Sequence, residues 1–103
     1  MMLPNSLAVD ASAVAAVCQE FGVAKLSVFG SVLRDDFDPD RSDVDLLVEF
    51  LPGEKRSLFK LLALQRALTV VFGRTVEVTT PGSLSKYFRD DVLAAAEVLY
   101  DAA

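Results

Sequence analysis

Three carboxylates and one Gly-Ser pair carry most of the chemistry in this sequence. Asp43 and Asp45 stand two apart at the start of "DVDLLVEF". Residues i and i+2 of a strand share a face, with Cα atoms about 6.5 Å apart. Two carboxylates held like that repel each other unless something positive binds them. Mg²⁺ suits the pair, because it takes one or two carboxylates together with water and substrate phosphates. Two-metal sites, with ions about 3.5–4 Å apart, serve phosphoryl displacement in this way. Glu77, in "TVEVT", alternates with Val76 and Val78 and so points to the side the aspartates occupy. It is the candidate third metal ligand and catalytic carboxylate. Gly30-Ser31 closes the preceding apolar run. Glycine allows close backbone approach. The Ser31 hydroxyl and the amides of a following helix can hold a phosphate oxygen. Arg34, one turn on, reaches the same phosphates. The chemistry indicated is phosphoryl or nucleotidyl transfer from a magnesium nucleotide.

Two other readings of the acids compete. Six aspartates fall between Asp35 and Asp45, with Arg41 among them. A solvated acidic loop accounts for Asp35, Asp36, Asp38 and Asp40. It does not account for Asp43 and Asp45 at the head of an apolar strand. A calcium loop framed on Asp38 would place Asp40 and Ser42 at its third and fifth positions and Glu49 at its twelfth. That frame fails at the sixth position, where the turn needs Gly and the chain has Asp43.

What is missing narrows the chemistry further. The chain has no histidine and one cysteine, Cys18. A Ser-His-Asp or Cys-His triad is therefore excluded within it, as are the usual zinc sites. No Gly-Lys-Ser/Thr follows a glycine loop, so there is no Walker A motif. With 15 acids against 10 bases, the net charge is −5. Direct binding to nucleic acid is not expected, since phosphate backbones need clustered Lys and Arg. No apolar run approaches the roughly 20 residues of a membrane span, and "MMLPNSLAVD" lacks the basic region of a signal peptide. A cytoplasmic protein is expected, consistent with a lone cysteine.

The elements that must position these residues are legible from periodicity. The 103 residues suit a single domain, 1–103, with a modest core. Val14, Val17, Cys18 and Phe21 predict a helix over 11–21, with Cys18 buried as a small apolar residue and Gly22 as the stop. "KLSVFG" (25–30) predicts a first strand and "SVLR" a short helix. Asp43 to Phe50 predicts a second strand, with Val44, Leu46, Val48 and Phe50 on one face and Asp43, Asp45, Leu47 and Glu49 on the other. Ser57 caps a long, unusually apolar helix from Leu58 to Phe72, and Gly73 ends it. Burial, or docking on another chain, explains its composition. Residues 75–80 predict a third strand, and Pro81-Gly82 a turn. "SLSKYF" predicts a helical turn, and "DDVLAAAEVLYDAA" a closing helix with Asp90 and Asp91 at its positive end. The fold class is α/β (α+β): a small mixed sheet with flanking helices.

"GSVLRDDFDPDRSDVDLLVEF" resembles the minimal nucleotidyltransferases of the DNA polymerase β-like superfamily. Their hallmark is Gly-Ser, about ten residues, then Asp-x-Asp entering a strand. The resemblance covers nearly the whole chain and implies the minimal nucleotidyltransferase fold. It implies Gly30 and Ser31 at the triphosphate of ATP and Asp43 and Asp45 on Mg²⁺. The family's third acidic position is usually aspartate, and here it is Glu77; where the family often has Gly after the Arg, this chain has Asp35. Proteins of this kind are commonly antitoxins paired with a HEPN-domain ribonuclease toxin. The resemblance implies two routes to neutralisation: transfer of AMP onto a toxin tyrosine, or direct binding. The apolar helix at 58–72 and a helix at 91–100 are the expected binding surfaces. Modification of a small molecule, as in antibiotic-modifying relatives, needs an acceptor region that only a homo-oligomer could add. Tyr87 and Tyr100 are alternatively self-modification sites or packing residues.

Overall fold

The computed structural model describes residues 1–3, 7–33, 38, 43–55 and 57–102. It opens with helix α1, Ala11–Glu20, where Asp10 accepts hydrogen bonds from the amides of Ser12 (2.9 Å) and Ala13 (3.3 Å). This cap satisfies donors that a helix start leaves open. Strand β1, Val23–Phe29, follows and runs into a 3₁₀ turn at Gly30–Leu33, where a short helix was expected. Strand β2 is Val44–Phe50, and helix α2 is Leu58–Phe72, capped by Ser57 and closed by Gly73 in the left-handed region (φ 68°). Strand β3, Val76–Thr79, leads to a 3₁₀ turn at Pro81–Ser83.

The closing helix departs from expectation. It stops after one short piece, α3 (Arg89–Ala95), and the chain extends into a fourth strand, β4 (Glu97–Asp101). The expected helix over 91–100 therefore does not exist as one element. Strand β4 pairs antiparallel with β1, on the side of β1 that β2 leaves open. Without it, the amides and carbonyls along that edge would lack partners. This tertiary demand overrides the helix propensity of "VLAAAEVLY", whose Val98, Leu99 and Tyr100 suit a strand equally well.

The sheet order is β3-β2-β1-β4. β1 and β2 are antiparallel, and β2 and β3 are parallel across the α2 crossover. The core lies between one sheet face and helices α1 and α2. It contains Val14 and Cys18 of α1, Leu64, Leu68 and Phe72 of α2, Leu26 and Val28 of β1, Val44, Leu46 and Val48 of β2, and Val76 and Val78 of β3. Leu3, Leu7 and Val9 also enter this core. They lie about an antiparallel bridge between Met2 and Ala8, with Leu3 donating to the Leu7 carbonyl (2.7 Å) and Val9 to that of Met1 (2.8 Å).

Three polar residues of α2, Lys60, Gln65 and Thr69, have identifiable partners. Gln65 Oε1 accepts from the amide of Val78 (3.1 Å), which satisfies a donor on edge strand β3. Thr69 donates to the Gln65 carbonyl, and Lys60 pairs with Glu54 (3.0 Å) above the Phe50 ring. Only one stripe of α2 is buried. Phe59 (85% exposed) and Val70 (82%) face outward with Leu58 and Leu62.

Cys18 is fully buried, as expected, and burial pushes its thiol up to about 11. At pH 8 it is expected to resist alkylation by iodoacetamide in the native protein and to react within minutes in denaturant. Comparing intact masses under the two conditions checks this.

Candidate active site

The second face of the sheet carries the acids. Asp43 is exposed just before β2, and Asp45, half-buried, is two residues on. The amide of Val44 donates to the Thr75 carbonyl (3.2 Å), which ties the start of β2 to the start of β3. The ladder then pairs Asp45 with Glu77 on β3 and with Phe29 on β1. Paired residues share a face, and neighbouring strands lie about 4.8 Å apart. Parallel pairing thus puts Glu77 beside Asp45, on the side the alternation of "TVEVT" predicts.

Gly30 completes the arrangement. It has φ 74°, and a Cβ placed there would lie 2.5 Å from Asp45 Oδ2. The backbone conformation favours glycine, and any side chain here would push the Asp45 carboxylate aside. The Asp45 carboxylate therefore rests against the start of the 3₁₀ turn, where Gly-Ser was expected to meet phosphate. The side chains of Ser31 and Arg34 lie outside the described residues, as do Asp35, Asp36 and Asp40; Asp38 is half-buried.

The donor set fits a hard cation. All the candidate ligands are carboxylate oxygens, and the lone thiol is in the core on the opposite face. Among the described residues, no three His, Cys, Asp or Glu side chains converge as a ready-made metal cage. Mg²⁺ does not need one, since one or two carboxylates complete its shell with water and phosphate oxygens.

This second face is partly closed. Leu47 and Ser27, cross-strand partners that point to the acidic side, are both buried. The chain must travel from β3 at one edge to β4 at the other, and its 3₁₀ turn at Pro81–Ser83 contacts β2. Further along that path, α3 approaches the Gly30 turn and leaves a cleft of about 380 Å³ lined by Phe29, Gly30, Leu33, Asp91, Val92 and Ala95. The sequence carried no signal for this cleft, because Asp90 and Asp91 read simply as helix-start acids.

The profile of the nucleotidyltransferase domain family matches residues 12–99. The chain belongs to that family. This nucleotidyltransferase is 40% identical over 75 residues to a Methanocaldococcus jannaschii protein assigned as a protein adenylyltransferase, covering 73% of this chain and 77% of that one. It is 38% identical over 82 residues to the protein adenylyltransferase MntA of Thermococcus cleftensis, covering 80% and 78%. Among solved structures, a minimal nucleotidyltransferase superposes with TM-score 0.66 at 34% identity, covering 85% of each chain. A toxin–antitoxin complex with AMP-PNP gives TM-score 0.70 at 14% identity, covering 91% of this chain and 75% of that one. A tri-AMPylated Shewanella oneidensis HEPN toxin in complex with an MNT antitoxin gives 0.62 at 15%, covering 89% and 70%. These last two likenesses concern the fold. Among the described residues of this nucleotidyltransferase, no helix is long and apolar enough to cross a membrane.

Proposed function

We propose that this nucleotidyltransferase moves AMP from ATP to a hydroxyl, that of a tyrosine, on a HEPN-domain toxin, and so acts as a cytoplasmic antitoxin. One observation carries the reading: Gly30, Asp45 and Glu77 are adjacent on three consecutive stretches of one sheet face. The adenylyltransferase relatives and the toxin–antitoxin likenesses support the reaction and the partner. Asp43 and Asp45 would hold Mg²⁺, with Glu77 as the third carboxylate. When bound, Mg²⁺ neutralises phosphate charge and polarises the α-phosphate.

The chain's own residues do the rest. The Gly30–Leu33 backbone, with Ser31 and Arg34, holds the β- and γ-phosphates of ATP. Glu77 lies on the far side of Asp45 from Gly30. That is the side from which an acceptor must come if pyrophosphate leaves toward Gly30. The acceptor oxygen bonds to the α-phosphorus as the bond to the β-phosphate oxygen breaks. Glu77 takes the hydroxyl proton, and pyrophosphate departs. Positioning and charge neutralisation supply most of the rate, as in other phosphoryl transfers.

A second reading rests on the outward stripe of α2, where Phe59 and Val70 are more than four-fifths exposed. Neutralisation by direct binding would cover this stripe without chemistry. Intact mass of the HEPN partner after incubation with ATP and Mg²⁺ separates the two. A gain of one or more AMP units is expected. A stable complex with no mass gain would favour binding alone.

A further inference from the structure

Helix α2 carries a second row of residues at helical spacing, on the side away from the core. Phe59, Leu62, Arg66 and Val70 stand at i, i+3, i+7 and i+11, so they form one stripe about 16 Å long. All four are exposed, with Ala63 beside them. The stripe is apolar except for Arg66, near its middle. Among the described residues, no carboxylate pairs with that guanidinium. Helix α2 itself contains no acid. The stripe also has a place relative to the active-site carboxylates. α2 packs on β3, where Gln65 accepts from the Val78 amide, and β3 is the edge strand that bears Glu77. Just beyond Val70, Gly73 ends the helix, and Thr75 then accepts at its carbonyl from the amide of Val44, the residue between Asp43 and Asp45. A protein docked along α2 thus overhangs the edge at which Glu77 stands.

What covers the stripe must supply a negative charge. A second copy does not: two-fold packing of α2 on α2 would close two Arg66 side chains into one apolar interface, with no carboxylate on either helix to offset them. A helix with an apolar ridge and one Asp or Glu within it meets both features, in the mode by which amphipathic helices bind apolar surfaces. We propose that the outward stripe of α2 is an exosite for the protein that accepts AMP, that it docks an amphipathic helix of that protein, and that Arg66 selects a helix with a carboxylate in its apolar face. The inference rests on the AMP-transfer reading above and adds the recognition surface. The stripe then serves the chemistry, because docking raises the local concentration of the acceptor hydroxyl beside Glu77.

Steady-state AMP transfer from the full chain to the HEPN-domain partner tests it. Phe59 is 85% exposed, so Phe59→Ser removes contact area without opening the core. Phe59→Ser and Arg66→Glu are each expected to raise KM for the protein acceptor about tenfold or more, while kcat and the dissociation constant for Mg-ATP stay within about twofold. Arg66→Lys, which keeps the charge, should lose less than Arg66→Glu. A benzophenone side chain introduced at Ala63 identifies the docked segment by cross-linking. The expected product joins it to a partner helix that contains Asp or Glu, and replacing that acid by Lys should restore KM with Arg66→Glu. Unchanged KM in either Phe59→Ser or Arg66→Glu would overturn the proposal while leaving AMP transfer standing. So would cross-linking to a second copy of this chain, or pelleting with phosphatidylserine vesicles that Arg66→Glu abolishes. A partner that binds the unmodified chain but never gains AMP would remove the transfer reading itself, and the exosite role with it.

Discussion

Asp45→Asn is expected to lower AMP transfer by at least about 10²–10³-fold while leaving the fold intact. The magnitude is that of removing one well-placed electrostatic group from an active site. Asp45 is the most constrained of the three acids. It stands between Phe29 and Glu77 in the ladder, and its carboxylate is packed against Gly30. Asn keeps the side chain's shape and one carbonyl oxygen but loses the charge that a magnesium nucleotide needs. Asn also keeps the size of the side chain that packs against Gly30, so the native fold is expected to persist. Rates of AMP incorporation at several Mg²⁺ concentrations, with thermal melts alongside, give both readouts. Full activity in the variant would contradict the role assigned to Asp45.

Gly30→Ala is expected to be damaging in two separable ways. At φ 74° an L-residue costs about 1–2 kcal/mol of stability. The new methyl also falls 2.5 Å from Asp45 Oδ2, well inside contact distance, so the carboxylate must move. Displacement on the order of 1 Å at a reacting centre can cost about 100-fold in rate. Gly73→Ala is the matched control. Its φ is 68°, yet nothing lies within 4 Å of an added Cβ. The control should lose similar stability and keep its activity, so a shared loss of activity would show that unfolding, not carboxylate placement, is responsible.

Much of this arrangement was legible in the sequence because it depends on short-range periodicity. Alternation in "DVDLLVEF" and "TVEVT" placed Asp45 and Glu77 on one side of the sheet, opposite the Val44, Val76 and Val78 face. Helices α1 and α2 were visible from their caps and apolar spacing. What alternation could not reveal was the register that sets Glu77 beside Asp45, since that depends on how two strands distant in sequence slide against each other. Strand β4 was misread as helix for a related reason. Its local propensities are ambiguous, and the open edge of β1 settles the matter. Leu3, Leu7 and Val9 enter the core from a segment with no regular period, and the cleft at Asp91 forms only because α3 returns to the Gly30 turn. Ser31's hydroxyl and Arg34 remain expectations carried by the motif.

The placement of β4 also bears on how the chain is made. Strand β1 is synthesised early, pairs with β2 on one side, and waits on the other for the last described strand to arrive. An unpaired edge of this kind is a template for pairing with another chain, and partly folded species that expose one are prone to aggregate. Through the interval in which residues 97–101 are still inside the ribosome, that edge stays available. A nascent or truncated chain ending near Ala96 would carry every carboxylate of the candidate site and still lack the strand that keeps it from its neighbours. In this small protein, solubility during biosynthesis is thus entrusted to a segment remote from the acids in sequence.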